Sequence, residues 1–153
     1  MATRVPKAEP AVEDVDTSYL ESLVGYNARR ATLVIMEAFF RQMAVYGLRP
    51  ADFSLLSLVA HNPGITSRQL CTTLSIQPPN LVGMIHLLEK RELITRRPHP
   101  RDGRAMGLHL TAAGRKLIRQ AEVTAAELED QATAGLSAAE RQTLMQLLKK
   151  IYS

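Results

Sequence analysis

The side chains with most to offer chemically lie between Ile94 and Arg104, in the stretch ITRRPHPRDGR. Arg96, Arg97, Arg101 and Arg104 gather there, with Asp102 as the one acidic neighbour. Guanidinium groups on a segment containing Pro and Gly can present planar, two-pronged donors to an anion such as a phosphate. A solvated surface turn has the same composition, so the cluster has to be judged from its surroundings. Thr66, Ser67 and Arg68 form a second candidate. They put two hydroxyls and a cation at the predicted start of a helix, where free backbone amides suit a phosphate. Catalysis finds no comparable support. His61, His86, His99 and His109 are scattered without paired ligand spacing, so no metal is expected. No Ser-His-Asp or Cys-His constellation and no glycine-rich phosphate loop can be built, so neither an enzyme nor a cofactor is expected. Cys71 follows Leu70 on a short helix that faces the core. A packed, inert thiol is the simpler reading, and a redox switch is the alternative.

The charge has a location. The chain has 153 residues and a net charge of +4. Residues 1–50 carry six basic and six acidic side chains, residues 51–110 seven and four, and residues 111–153 six and five. Most of the excess therefore falls in the middle of the chain, around the arginine cluster. A hydrophobic content of 46% excludes wholesale disorder, and the length fits one domain, or one domain carrying an extended dimerisation region. A single Cys rules out an internal disulfide framework and favours a reducing cytosol. The longest apolar stretch, Leu33 to Phe40, is broken by Glu37 and falls far short of the roughly 18 residues a membrane span needs. The N-terminus MATRVPKAEPAVEDVD has no apolar core, so no secretory signal is read there and a cytoplasmic location is expected.

The periodicity supplies the elements that must hold these residues. Residues 1–16 read as a flexible arm. A long helix is predicted from about Ser18 to Tyr46, with Leu23, Ala31, Val34, Ala38 and Val45 in one apolar row. Val24, Ala28, Ile35, Phe39 and Met43 form an adjacent row, which suits a subunit interface. Gly47 can end that helix, and Pro50 fits the first turn of the next, which stops at HNPG. Thr66 and Gln69 have capping-box spacing. After the link Ser75 to Gln77, Pro78 and Pro79 fix the start of a helix whose buried row is Leu81, Ile85 and Leu88. ITRR then reads as a strand and PHPRDG as a turn. In MGLHLT, Met106, Leu108 and Leu110 alternate as on a half-buried strand. Thr111 caps another long helix with Leu117, Ala121, Leu128 and Ala132 on one stripe. Ser137 and Glu140 begin the last helix, lined by Leu144, Leu147, Leu148 and Ile151.

Three short helices followed by a hairpin with a basic tip is the order of a winged helix-turn-helix, mainly α with a small β-hairpin wing. Its second helix would enter a DNA major groove, and the hairpin tip would reach the neighbouring backbone or minor groove. Residues 48–111 would form this lobe, and residues 17–47 and 112–153 the N- and C-terminal dimerisation helices.

The segment LSIQPPNLVGMIHLLEKRELITRRPHPRDGRAMGLHLTAAG, Leu74 to Gly114, resembles the MarR family of bacterial transcription regulators. LLEKRELITR, the wing DGR at Asp102 to Arg104 and the LTAAG exit are the most telling parts, and the resemblance extends over about Tyr19 to Tyr152. It implies a homodimer on double-stranded DNA with a pseudo-palindromic operator, acting as a ligand-responsive repressor. The sequence departs from the family in its wing, where Gly103 stands in place of an arginine, leaving Arg104, oriented by Asp102, as the main wing contact. Arg97 and Arg101 join it. The recognition face offers Gln77, Pro79, Asn80 and Gly83, with His86 farther along. Gln and Asn can pair with adenine and Pro79 can touch a thymine methyl, which predicts a bias toward A·T-containing half-sites. The resemblance also implies a crevice for an aromatic or acyl carboxylate or its coenzyme A thioester. Tyr26, Arg29, Arg30, Phe39 and Phe53 are the residues assigned to it, with the arginines at the anionic end. Tyr19, Met36, Phe40 and Met84 are weighed with them, and interface core with surface ion pairs is the alternative for each of the nine. A winged-helix module used only for protein assembly is the alternative for the whole chain.

Overall fold

The computed structural model describes residues 14–99 and 102–152, and at 99 and 102–104 the backbone alone. Its elements in chain order are α1 (Ser18–Glu21), α2 (Val24–Met43), a 3-10 turn (Ala44–Tyr46), α3 (Pro50–His61), β1 (Ile65–Thr66), α4 (Ser67–Leu74), α5 (Pro78–Lys90), β2 (Ile94–His99), β3 (Asp102–Leu110), α6 (Ala112–Ala132) and α7 (Ala138–Tyr152). The chain divides into two compact units, one ending at Val34 and the other beginning at Ile35.

The long helix predicted from Ser18 to Tyr46 is interrupted at both ends. Ser22 Oγ donates to the Tyr19 carbonyl at 2.7 Å, and Asn27 Nδ2 donates to the carbonyls of Glu21 and Leu23 at 2.7 and 2.9 Å. The Tyr19 and Glu21 carbonyls thus accept from side chains, and the helix restarts at Val24. At the other end the backbone tightens into the 3-10 turn and stops at Gly47, which adopts φ 59°. Arg49 then caps α3. Its backbone N–H and guanidinium both donate to Asp52, which is buried in the third position of that helix.

The core of the second unit is built from Phe39 and Met43 of α2, Leu55, Leu56 and Val59 of α3, Leu70 of α4 and the Leu81, Ile85 and Leu88 row of α5. Leu108, Ile118, Ala121 and Leu128 close it. Each fully buried Leu or Ile contributes about 1.5–3 kcal/mol through removal of its side chain from water.

The sheet has three strands in the order β1-β3-β2, rather than the two expected of a hairpin. Ile65 and Thr66 pair with Leu108 and Gly107. That crossing explains a glycine, because a Cβ on Gly107 would lie 2.7 Å from the Gly64 carbonyl oxygen. Gly114 is required for the same reason: a Cβ there would collide with the Leu93 backbone. Thr111 Oγ1 closes the joint, donating to the Glu92 carbonyl at 2.6 Å and accepting from the Gly114 amide at 3.0 Å. Leu108 and Leu110 are buried as their alternation predicts, whereas Met106, two residues nearer the tip, is 44% exposed and lies outside the core cluster.

Helix α7 leaves Leu144, Leu147, Leu148 and Ile151 exposed along one stripe. In the first unit, Leu23, Val24, Leu33 and Val34 are exposed as well.

Candidate nucleic-acid interface

Helix α4 begins with the predicted capping box. Thr66 Oγ1 accepts from the Gln69 amide at 3.3 Å and donates to Gln69 Oε1 at 2.9 Å, and the same Oε1 accepts from the Thr66 amide at 3.0 Å. The Thr66 hydroxyl proton is therefore engaged within the helix start, and Ser67 and the exposed Arg68 stand beside it. The turn to α5 places Ser75 in the left-handed region at φ 52° and packs Ile76 against the core. Gln77 caps α5, and Pro78 and Pro79 occupy its first turn.

Because Leu81, Met84, Ile85 and Leu88 bury one face of α5, the other face is free to meet a partner. Gln77, Pro79, Asn80, Gly83 and His86 are all exposed there, as the sequence predicts. A Cβ on Gly83 would meet no other atom, so nothing inside the molecule requires a glycine at that position.

The arginine cluster is divided by strand alternation. Arg96 pairs with Leu108 and Arg97 with Gly107, so the two neighbours project from opposite faces of the wing. Arg96 donates through Nε and Nη2 to the two carboxylate oxygens of Glu89 on α5, at 2.7 and 3.2 Å. Asp102 is therefore not the cluster's sole counter-charge: Arg96 ties the wing to α5. Arg97 is exposed on the other face. The side chains of Arg101, Asp102 and Arg104 lie outside the described residues.

A groove of about 640 Å³ runs beside α5. Phe40 of α2, Arg49 to Ala51 at the start of α3, and Pro79, Asn80, Gly83, Met84 and Leu87 of α5 line it. Phe40 and Met84 are among the effector candidates of the sequence, whereas Arg49 and Leu87 are not. Leu87 is marked out by its exposure, which is a property of the fold. Of the residues assigned to an effector, Phe39 and Phe53 meet edge to face with ring centroids 5.8 Å apart, and Phe39 also packs edge-on against Phe40. Tyr26 is half-buried and Arg29 and Arg30 are exposed, all on the first part of α2.

Elsewhere, Ser57 and His61 of α3 both bond Glu122 of α6, at 2.7 and 3.0 Å. Cys71 is half-buried against the core. Among the described residues no cluster of three His, Cys, Asp or Glu side chains could hold a metal, and no helix is long and apolar enough to cross a membrane.

A capped helix, a tight turn, a second helix with a polar outer face and a β-wing make a winged helix-turn-helix, a class of DNA-binding lobe. A model of the MarR family matches residues 46–105. A proposed transcriptional regulatory protein for the hcr operon of Thauera aromatica is 30% identical over 130 residues, covering 84% of this chain and 78% of its relative. The structure of the transcriptional repressor CouR bound to a 23-mer DNA duplex is similar with a TM-score of 0.85 at 36% identity, over 92% of this chain and 100% of that one. CouR bound to p-coumaroyl-CoA gives a TM-score of 0.79 at 35% identity, over 90% and 97% of the two chains. The chain belongs to the MarR family and is a DNA-binding transcriptional regulator, not an enzyme.

Proposed function

We propose that the chain is a cytoplasmic, homodimeric repressor that reads a pseudo-palindromic operator and is released by an aromatic or acyl carboxylate or its coenzyme A thioester. The observation that carries this reading is the groove of about 640 Å³, because the recognition helix is one of its walls. An occupant touching Asn80, Gly83 and Leu87 would bind a DNA-fitting pose of α5 and a displaced one unequally, which is the requirement for a ligand to shift an equilibrium. The lining of Phe40, Met84 and Leu87 suits a flat apolar body, and the Arg49 guanidinium, paired to Asp52 yet largely exposed, stands at its edge for an anionic end. The bound p-coumaroyl-CoA of the CouR relative belongs to the same chemical class. Phe39 and Phe53 would stiffen the wall behind Phe40.

In this reading Gln77, Pro79, Asn80 and Gly83 meet base edges. Thr66, Ser67, Arg68, His86, Arg97, Arg101 and Arg104 meet the backbone, with Asp102 orienting Arg104. Pairing of two copies is supported by the exposed stripe Leu144, Leu147, Leu148 and Ile151 on α7. Fluorescence anisotropy on an operator duplex, with p-coumaroyl-CoA and p-coumaric acid as competitors, tests the release. Loss of DNA binding with either supports the reading, and undiminished binding with both at millimolar concentration overturns this ligand class. Light scattering on Leu147→Asp tests the pairing: a monomer is expected, and an unchanged wild-type dimer, or a wild-type monomer, overturns it.

A further inference from the structure

Beyond the residues that face DNA, we infer that Arg91 is a positioning residue that sets the pose of the recognition helix without touching DNA itself. Arg91 immediately follows the last residue of α5. Its guanidinium reaches back across 44 residues of sequence to the turn that ends α2, with Nη1 donating to the Gly47 carbonyl at 2.8 Å and Nη2 to the Tyr46 carbonyl at 2.7 Å. Both carbonyls are at the C-terminal end of a helical run, where acceptors lack helical partners and the helix dipole favours a cation. A planar fork satisfies two of them at once, which an ammonium cannot do with the same fixed geometry.

The receiving turn is itself held in place. Leu48 is buried in the core, and the Tyr46 hydroxyl hydrogen-bonds Thr124 of α6 at 2.8 Å. Arg91 therefore bolts the far end of the recognition helix to a fixed point where α2, α3 and α6 meet. The near end is set separately, by the Ser75 turn and the two prolines. With both ends held, the angle at which Gln77 and Asn80 are presented is defined. Without the Arg91 fork, α5 keeps its buried row and the Glu89 clamp to the wing but loses the one anchor that sets its far end against the α2 turn, so its angle is less tightly defined. The 13 residues of α5, at about 1.5 Å each, put Arg91 roughly 20 Å from that turn and away from the base-reading end.

The test uses the full chain with two duplexes: one selected from a random pool by the wild-type protein, and one of mixed sequence. Arg91→Ala is expected to weaken binding to the selected duplex about tenfold while the mixed duplex stays within about twofold and the salt slope is unchanged, because fit is lost and no phosphate contact is. Arg91→Lys keeps the charge without the fork and is expected to lose about threefold on the selected duplex, at a melting temperature near that of the wild type. This variant decides the matter if Arg91→Ala does not fold. Equal losses on both duplexes with a shallower salt slope would make Arg91 a phosphate contact and overturn the inference. Wild-type affinity of Arg91→Lys for the selected duplex would overturn it as well.

Discussion

Adjacent arginines on β2 should behave as opposites when each is truncated. Arg97 stands on the exposed face of the wing, whereas Arg96 is held by both carboxylate oxygens of Glu89. A phosphate contact releases condensed counterions, so its loss flattens the plot of log affinity against log salt by about 0.9. Over a fourfold rise in salt, that is a factor of about 3.5 for each contact in each bound protomer. Arg97→Ala should therefore weaken binding several-fold at low salt and flatten the slope, with little effect on melting. Arg96→Ala should leave the slope alone. Its cost falls on stability: the pair is 41% and 27% exposed, so screening limits its worth to a few tenths up to about 1 kcal/mol. For a chain of this size that is about 1–4 °C in Tm. Anisotropy titrations between 50 and 200 mM salt, alongside thermal melts, separate the two effects. If Arg96→Ala flattens the slope and Arg97→Ala does not, the division of the wing faces is wrong.

Three other outcomes follow from the geometry. Glu92 occupies the left-handed region at φ 55° just after α5, so Glu92→Gly should raise stability by about 0.5–1 kcal/mol, and a lower melting temperature would contradict this. Gly114→Ala should cost about 2–4 kcal/mol, because the new methyl meets the Leu93 backbone rather than a side chain that can move, and chemical denaturation measures it. Hydrogen bonds from the Ser137 amide and hydroxyl hold the Glu140 carboxyl below its ordinary value of 4.5. The cap is then fully formed above that value and lost as pH falls through the lowered one. Hydrogen exchange in the first turn of α7 should accelerate on acidification in the wild type, and Glu140→Gln should remove the pH dependence.

What could be read in advance was local. Thr66 with Gln69, Ser137 with Glu140, the Pro78–Pro79 pair and Gly47 each mark a helix end through contacts within a few residues, and the structure has all four. The outward face of α5 was legible for the same reason, since helical periodicity separates the buried Leu81, Ile85 and Leu88 from the exposed Gln77, Asn80 and His86. What escaped depends on contacts distant in sequence or on side chains that compete with the backbone. β1 is two residues long and exists because Leu108 and Gly107 lie beside it. The restart at Val24 is accompanied by hydrogen bonds from Ser22 to the Tyr19 carbonyl and from Asn27 to the Glu21 carbonyl, which a hydrophobic pattern does not register. The clamp from Arg96 to Glu89 bridges seven residues across a helix-to-strand turn, so its arginine could not be told from its neighbour by composition. The groove beside α5 needed Phe40, Arg49 and Leu87 brought together from three helices.

The extra strand changes the mechanics of the wing. A hairpin attached only at its root would swing like a reed, and its tip would report little to the body. Here β3 is pinned on one side by β1, whose Thr66 is also the cap of α4, and it runs through Leu110 directly into Thr111, the cap of α6. The wing is thus a lever with its fulcrum inside the lobe. A load applied at the tip by a bent or widened groove arrives at the start of α4 and at the root of α6 together. DNA stiffness would then be felt by α4 and α6 as well as by the arginines proposed to grip it.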